Sequence, residues 1–186
     1  MGQQETVHEE SEGPTKAPVA SWRRLAMDDI DGVQRVATEI HPDLPEKIEV
    51  FAERTKLFPE GCLALVDHES DELCGYAISH PVRRGQLPAL NTLLLEPASF
   101  ADTYYIHDIA ILPKYRGLGH AQTGISRLLA VAQPYETTCL ISVYGTSQFW
   151  SRFDFVEGEA DEALKEKLLG YGDGAVYLER TNERSQ

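Results

Sequence analysis

One stretch constrains the chain more than any other: Ile106-His107-Asp108-Ile109-Ala110-Ile111-Leu112-Pro113-Lys114-Tyr115-Arg116-Gly117-Leu118-Gly119-His120-Ala121. An apolar strand runs through a proline into a turn punctuated by two glycines. The helix after it is visible from Ile125, Leu128, Leu129 and Ala132 at i, i+3, i+4 and i+7, and Pro134 ends it. A strand-to-helix turn of this kind aims successive backbone N–H groups and the positive end of the helix at one point, which is an anion site. Gly117 and Gly119 bend without a Cβ and permit close approach, while Arg116 adds a fixed charge and a fork of donors. It is not a Walker loop, because no Gly-Lys-Ser/Thr follows, and Lys114 takes the first glycine slot of the dinucleotide fingerprint. Taken alone, the turn is equally compatible with a glycine-rich connection that binds nothing.

Periodicity orders the other elements around this turn. Residues 19–25 read as a strand, and Asp28 or Asp29 caps a helix with Ile30, Val33, Ala37 and Ile40 on one face. His41-Pro42-Asp43-Leu44-Pro45 breaks it, and Ile48, Phe51, Ala52 and Thr55 mark a second helix. Residues 62–66 and 73–79 form an antiparallel pair, 83–89 a loop, and a strand ends at Leu112. A strand over 139–144, a short helix over 148–153, a helix over 159–169 and a strand over 175–179 complete the order. The pattern predicts a mixed α/β (α+β) sheet with helices on both faces.

A chain of 186 residues, 42% hydrophobic, supports one compact domain, which we place at 18–181. The acidic arm over 1–17 offers nothing to bury and is expected to be disordered, and 182–186 reads as a tail. Met1-Gly2 with Thr6 fits a myristoylation pattern, although one acyl chain on an acidic arm binds membranes only marginally. With no apolar run long enough for a membrane span and no signal peptide, a soluble, cytoplasmic monomer or homodimer is expected. Cys62, Cys74 and Cys139 lack zinc spacing and read as reduced core thiols, so no metal site is predicted. A net charge of −13 argues against nucleic acid and favours a cationic partner. Solubility alone is the plainer account of that charge.

Arg116, Gly119 and Ala121 match the Arg/Gln-x-x-Gly-x-Gly/Ala motif, and here the chain resembles the GNAT acetyltransferase superfamily. Phe149-Trp150-Ser151-Arg152-Phe153-Asp154-Phe155 is similar to that family's C-terminal Phe-Tyr-x-x-x-Gly-Phe element. The resemblance spans roughly 19–180. It implies a mostly antiparallel sheet whose splayed pair of parallel strands holds acetyl-CoA. The implied contacts are Ile109, Ala110 and Ile111 on the strand, then Arg116, Gly117, Leu118, Gly119, His120 and Ala121, with Phe149 and Trp150 beyond. Lys114 and Arg116 would reverse the overall charge locally. Phe58-Pro59-Glu60-Gly61-Cys62, Tyr105-Ile106-His107 and the Phe149 helix look most like the arylalkylamine N-acetyltransferases and their fungal polyamine-acetylating relatives.

Such a reaction needs a base, since an alkylamine of pKa near 10 is about 0.1% neutral at pH 7 and costs roughly 4 kcal/mol to deprotonate. His107 lies where the resembling enzymes carry a catalytic histidine, and Tyr105 takes the slot of a second one. On a regular strand Tyr105, His107, Ile109 and Ile111 share one face, while Ile106, Asp108 and Ala110 share the other. Asp108 is the rival base; His107 and Tyr105 also have plain packing readings. A backbone N–H near Ala110 or Ile111 is implied to polarise the thioester carbonyl. The chain departs from the family at Trp150, which replaces the usual acidic tyrosine and leaves Tyr144 as a substitute. Asp154 replaces a glycine, and no asparagine stands near Val143. The loop from His41 to Glu46, with residues 83–88, is implied to fold over the amine. The leading reading is acetyl transfer to a small-molecule primary amine by direct attack in a ternary complex. The alternatives are a protein or peptide N-acetyltransferase and a catalytically weak acyl-CoA-binding module.

Overall fold

A computed structural model describes residues 19–182. The arm, its myristoylation pattern and residues 183–186 lie outside the described residues. In chain order the elements are β1 (Ala20–Arg24), α1 (Ile30–Ile40), α2 (Ile48–Leu57), β2 (Cys62–Asp67), β3 (Leu73–Val82) and β4 (Thr103–Ile111). Then come α3 (His120–Val131), β5 (Thr137–Ser142), α4 (Ser147–Trp150), β6 (Val156–Glu157), α5 (Glu162–Leu169) and β7 (Val176–Thr181). Among the described residues seven strands lie in the order β1-β2-β3-β4-β5-β7-β6, antiparallel throughout except for the parallel pair β4 and β5. Only that pair needs a crossover, and α3 supplies it.

Alternation along the strands divides the core. Trp22, Leu65, Tyr104, Ile106 and Leu140 face the side covered by Ile125 and Leu128 of α3 and by Trp150 of α4. Cys62, Ala64, Tyr76 and Ile78 face Val33 and Val36 of α1 and Phe51 of α2. Farther along the same face, Tyr105, Cys139 and Tyr177 meet Leu164 of α5. The three cysteines are free and buried, and burial pushes the Cys62 and Cys139 thiols up to about 12. Among the described residues no helix is long and apolar enough to cross a membrane.

Several details differ from the periodicity reading. The buried stripe of α1 is Ile30, Val33, Val36 and Ala37, and that of α2 includes Arg54, which is fully buried. Arg54 is tolerated because its guanidinium donates to Glu53 and to the Thr92 carbonyl. Asp29 does not cap α1 with its side chain; it accepts from the Ala26 N–H and the Arg23 guanidinium. β5 ends at Ser142, and α5 begins only at Glu162, where the Asp161 carboxylate accepts from Leu164 N–H. Asn182 belongs to the domain rather than to a tail: it is buried, accepts from Thr138 and donates to the Ala132 and Tyr135 carbonyls.

Candidate active site

The site begins where two strands part. The β4–β5 pairing runs from Thr103↔Thr137 to Ile106↔Leu140 and stops there, although β4 continues to Ile111 and β5 to Ser142. At the same point β3 pairs Ser79 with Ile106 but Ile78 with Asp108, so His107 is an extra residue without a cross-strand partner. This is a β-bulge, and it reverses the side-chain alternation. The expectation that Asp108 faces away from Tyr105 and His107 is therefore corrected. Tyr104, Ile106, Ile109 and Ile111 all face the α3 core, while Tyr105 and Ala110 face the opposite one. Asp108 joins Tyr76 and His41 on that opposite side.

A cavity of about 950 Å³ opens at the parting of the strands, with Ile109, Ala110 and Ile111 in its wall. Arg116, Gly117, Gly119, His120 and Ala121 line its one end. Gly117 and Gly119 have φ of +76° and +83°, and no heavy atom lies within 4 Å of the place where either Cβ would be. Gly119 is the N-cap of α3, whose first turn carries no acidic residue. The Nε of Arg116 donates to the Ile111 carbonyl at 2.8 Å, which fixes the guanidinium beside the loop. Open backbone at a helix N-terminus, an anchored cation and a side-chain nitrogen of His120 that is buried without a partner among the described residues together fit a phosphorylated ligand. Phe149 and Trp150 also line the cavity, the latter packed edge-on against Phe149 and Phe155 with ring centroids 5.4 Å apart. Leu118 does not line it and is 44% exposed.

Two histidine–carboxylate pairs form the other end. His107 Nε2 lies 2.7 Å from Glu46 Oε2, with 1% and 6% of the side chains exposed. Burial alone would raise the Glu46 pKa, but the charge and hydrogen bond of His107 hold it below the usual carboxylate range. His41 Nε2 lies 3.1 Å from Asp108 Oδ1, and the Tyr76 hydroxyl donates to Asp108 Oδ2. Burial acts against both charges; the pairing prevails, lowering Asp108 and raising His41. Tyr144 follows β5 with φ +54° and stacks on His41, ring centroids 5.7 Å apart and planes at 7°. Tyr105 is fully buried behind His107, edge-on to it and to His80, and forms no part of the cavity wall.

The connections carrying these groups are pinned to each other. Glu46 Oε1 accepts from Asn91 N–H at 2.9 Å, Asn91 Oδ1 accepts from Lys47 N–H, and Glu53 accepts from Leu94 and Leu95 N–H. Residues 83–102 thus close over 41–47, and Leu44, Leu90 and Tyr171 wall the cavity there. Sequence reasoning missed His41, Tyr76 and the pairing role of Glu46, because each is brought to β4 from a distant segment. The local trace of His41 and Glu46 was the proline-rich loop expected to fold over the amine; Tyr76 left none.

Among curated proteins none matches the chain. Solved structures of similar fold include the loading GNATL domain of CurA from Lyngbya majuscula, 11% identical with a TM-score of 0.71, covering 88% of this chain and 98% of that one. Arabidopsis thaliana Naa50, in complex with a bisubstrate analogue CoA-Ac-MVNAL, is 12% identical with a TM-score of 0.64, covering 87% and 98%. Rv2747 from Mycobacterium tuberculosis, in complex with CoA and NLQ, is 16% identical with a TM-score of 0.61, covering 88% and 99%. Residues 24–155 match the acetyltransferase (GNAT) family. The chain belongs to that family of acyltransferases, whose co-substrate is acetyl-CoA.

Proposed function

We propose that the protein transfers acetyl from acetyl-CoA to the primary amine of a small molecule, an arylalkylamine or a polyamine. The observation that carries this reading is one cavity with an anion-fitting loop at one end and two carboxylates, the buried side chain of Glu46 and the half-buried one of Asp108, at the other. Carboxylates held ionised attract an ammonium group, and the closed loops leave an end suited to a small acceptor. The narrower likeness at Phe58-Pro59-Glu60-Gly61-Cys62 and Tyr105-Ile106-His107 supports the same substrate class.

The carboxylate of Glu46 can only accept, so neutral His107 carries its proton on Nε2 and keeps a lone pair on Nδ1. That nitrogen is buried without a partner among the described residues. His107 takes the ammonium proton there by way of one water. The edge of β4 that β5 leaves unpaired beyond Ile106 supplies backbone N–H near Ala110 and Ile111 to polarise the thioester carbonyl. As the amine nitrogen bonds to the carbonyl carbon and the carbon–sulfur bond breaks, Tyr144 donates a proton to the leaving thiolate; the second proton of the attacking nitrogen restores the Tyr144 hydroxyl as the amide forms, and the proton held by His107 passes to solvent. Partial desolvation of the half-exposed Tyr144, with the Asp43 and Asp108 charges, raises its pKa, so the hydroxyl is protonated at working pH. Arg116 and the Gly117–Gly119 turn hold the phosphates.

The test is CoA release from acetyl-CoA by the purified protein, with tyramine, tryptamine, spermidine, glucosamine phosphate, amino acids and a lysine peptide as acceptors. Saturable release on tyramine, tryptamine or spermidine is expected. Release on the lysine peptide alone would replace the small acceptor by a polypeptide, and tight acetyl-CoA binding without release on any acceptor would overturn the proposal.

A further inference from the structure

Asp67 stands at the end of β2, remote in sequence from the glycine turn and outside the cavity wall, yet it is buried. Its Oδ1 accepts from Glu69 N–H at 2.8 Å, from Ser70 N–H at 2.9 Å and from the Ser70 hydroxyl at 3.3 Å. Those bonds close the β2–β3 turn and hold the carboxylate still. Its other oxygen, Oδ2, accepts from the Tyr115 hydroxyl at 2.7 Å. The turn's own needs are met by Oδ1, so the bond to Tyr115 is additional to them.

Tyr115 occupies the short helical turn Pro113–Tyr115 between the end of β4 and Arg116, and it lines the cavity. The backbone there is tied in sequence: Leu112 N–H donates to the Cys74 carbonyl, Tyr115 N–H to that of Leu112 and Arg116 N–H to that of Pro113. Beyond Arg116 the chain enters Gly117 and Gly119, which have no neighbour where a side chain would stand. The direction in which those glycines present their N–H groups is therefore set by the two anchored side chains before them, Tyr115 through Asp67 and Arg116 through the Ile111 carbonyl.

We propose that Asp67 is a positioning residue for the phosphate-facing turn, acting through the Tyr115 hydroxyl. The inference rests on acetyl-CoA as the donor and is independent of which amine is acetylated. Tyr115 remains a donor at working pH, because burial and the neighbouring carboxylate push its pKa up to about 12. Asp67 remains an acceptor, because the Ser70 N–H and the Tyr115 hydroxyl hold it down at about 2. The strut is thus intact across the range in which the enzyme works.

A double-mutant cycle of Asp67→Asn and Tyr115→Phe tests this, with CoA affinity read by calorimetry and turnover by CoA release. Tyr115→Phe should weaken CoA binding about tenfold, the loss expected for one charge-assisted hydrogen bond, and Asp67→Asn, whose amide can still donate to the Tyr115 hydroxyl, by less. The double variant should be no weaker than Tyr115→Phe alone. Asp67→Asn should raise KM for acetyl-CoA while leaving KM for the amine and kcat at saturating acetyl-CoA unchanged. A lower melting temperature with unaltered CoA affinity, or additive losses in the cycle, would overturn the proposal. If Asp67→Asn fails to fold, Tyr115→Phe still decides, since a wild-type CoA affinity there excludes the strut. Absence of turnover in the unmodified protein would sink the proposed reaction and leave the calorimetric cycle readable.

Discussion

Glu46→Gln separates charge from shape at the centre of the site. Glutamine can still accept from Asn91 N–H with its carbonyl oxygen, but its amide then faces His107 Nε2 as a donor. A neutral His107 must move its proton to Nδ1 to avoid opposing donors, or the glutamine must turn and set its amide against Asn91 N–H. Either outcome removes one charge-assisted bond between side chains that are 1% and 6% exposed. The loss should be about 2 kcal/mol in stability, a shift of roughly 1 M in the urea midpoint for an m-value of about 2 kcal/mol/M. Turnover should suffer more, since the lone pair on Nδ1 is the one assigned to the ammonium proton; kcat/KM should fall at least about 100-fold. Nitrogen chemical shifts of the imidazole report the tautomer, and CoA release reports the rate. Glu162→Gln is the control: Glu162 is 92% exposed beside Lys165, and removing that pair should change stability by under about 0.5 kcal/mol. If the variant showed the exchanged tautomer and retained kcat/KM within about threefold, the assignment of His107 as base would be refuted.

Gly119→Asp places a β-carbon at φ +83° and a negative charge at the N-cap of α3, so CoA binding should be lost; calorimetry with unaltered affinity would remove the phosphate-turn reading. The His41–Asp108 pair contributes stability below the ordinary histidine value of 6.5, and this is lost as pH rises through the raised folded value. Denaturation across pH 5.5 to 8.5 should therefore show stability falling on the alkaline side in the unmodified protein, and Asp108→Asn should flatten that slope. Asn182→Ala strands the Ala132 and Tyr135 carbonyls and the Thr138 hydroxyl, and should cost about 2–3 kcal/mol in a urea titration.

Much of the frame was legible because it depends on local periodicity and turn chemistry. The glycine turn, α3 and the β2–β3 hairpin are each written in a short window of residues. The loop residues Arg116, Gly117, Gly119, His120 and Ala121 meet at one end of the cavity because they are neighbours in sequence. Where the site depends on register, the reading failed. A regular strand separates His107 from Asp108, and a single supernumerary residue brings them to one side; nothing in the composition of β4 announces it. His41 and Glu46 arrive from the C-cap of α1 and the loop after it and Tyr76 from β3, so their pairing is a property of tertiary packing. Arg54 reads as a solvent-facing helical residue until the loop at Thr92 gives it an acceptor.

The bulge also makes fold and chemistry separable within one strand. His107 is the one residue of β4 between Thr103 and Ile111 that pairs with nothing on β3. Excising it would leave Ile106 opposite Ser79 and Asp108 opposite Ile78, a regular ladder with every hydrophobic contact in phase. The sheet has no use for this residue. A protein shortened by that single position would keep the ladder but would leave Glu46 buried without its partner and lose the base proposed for it, so the residue is held by its side chain and not by the strand it interrupts.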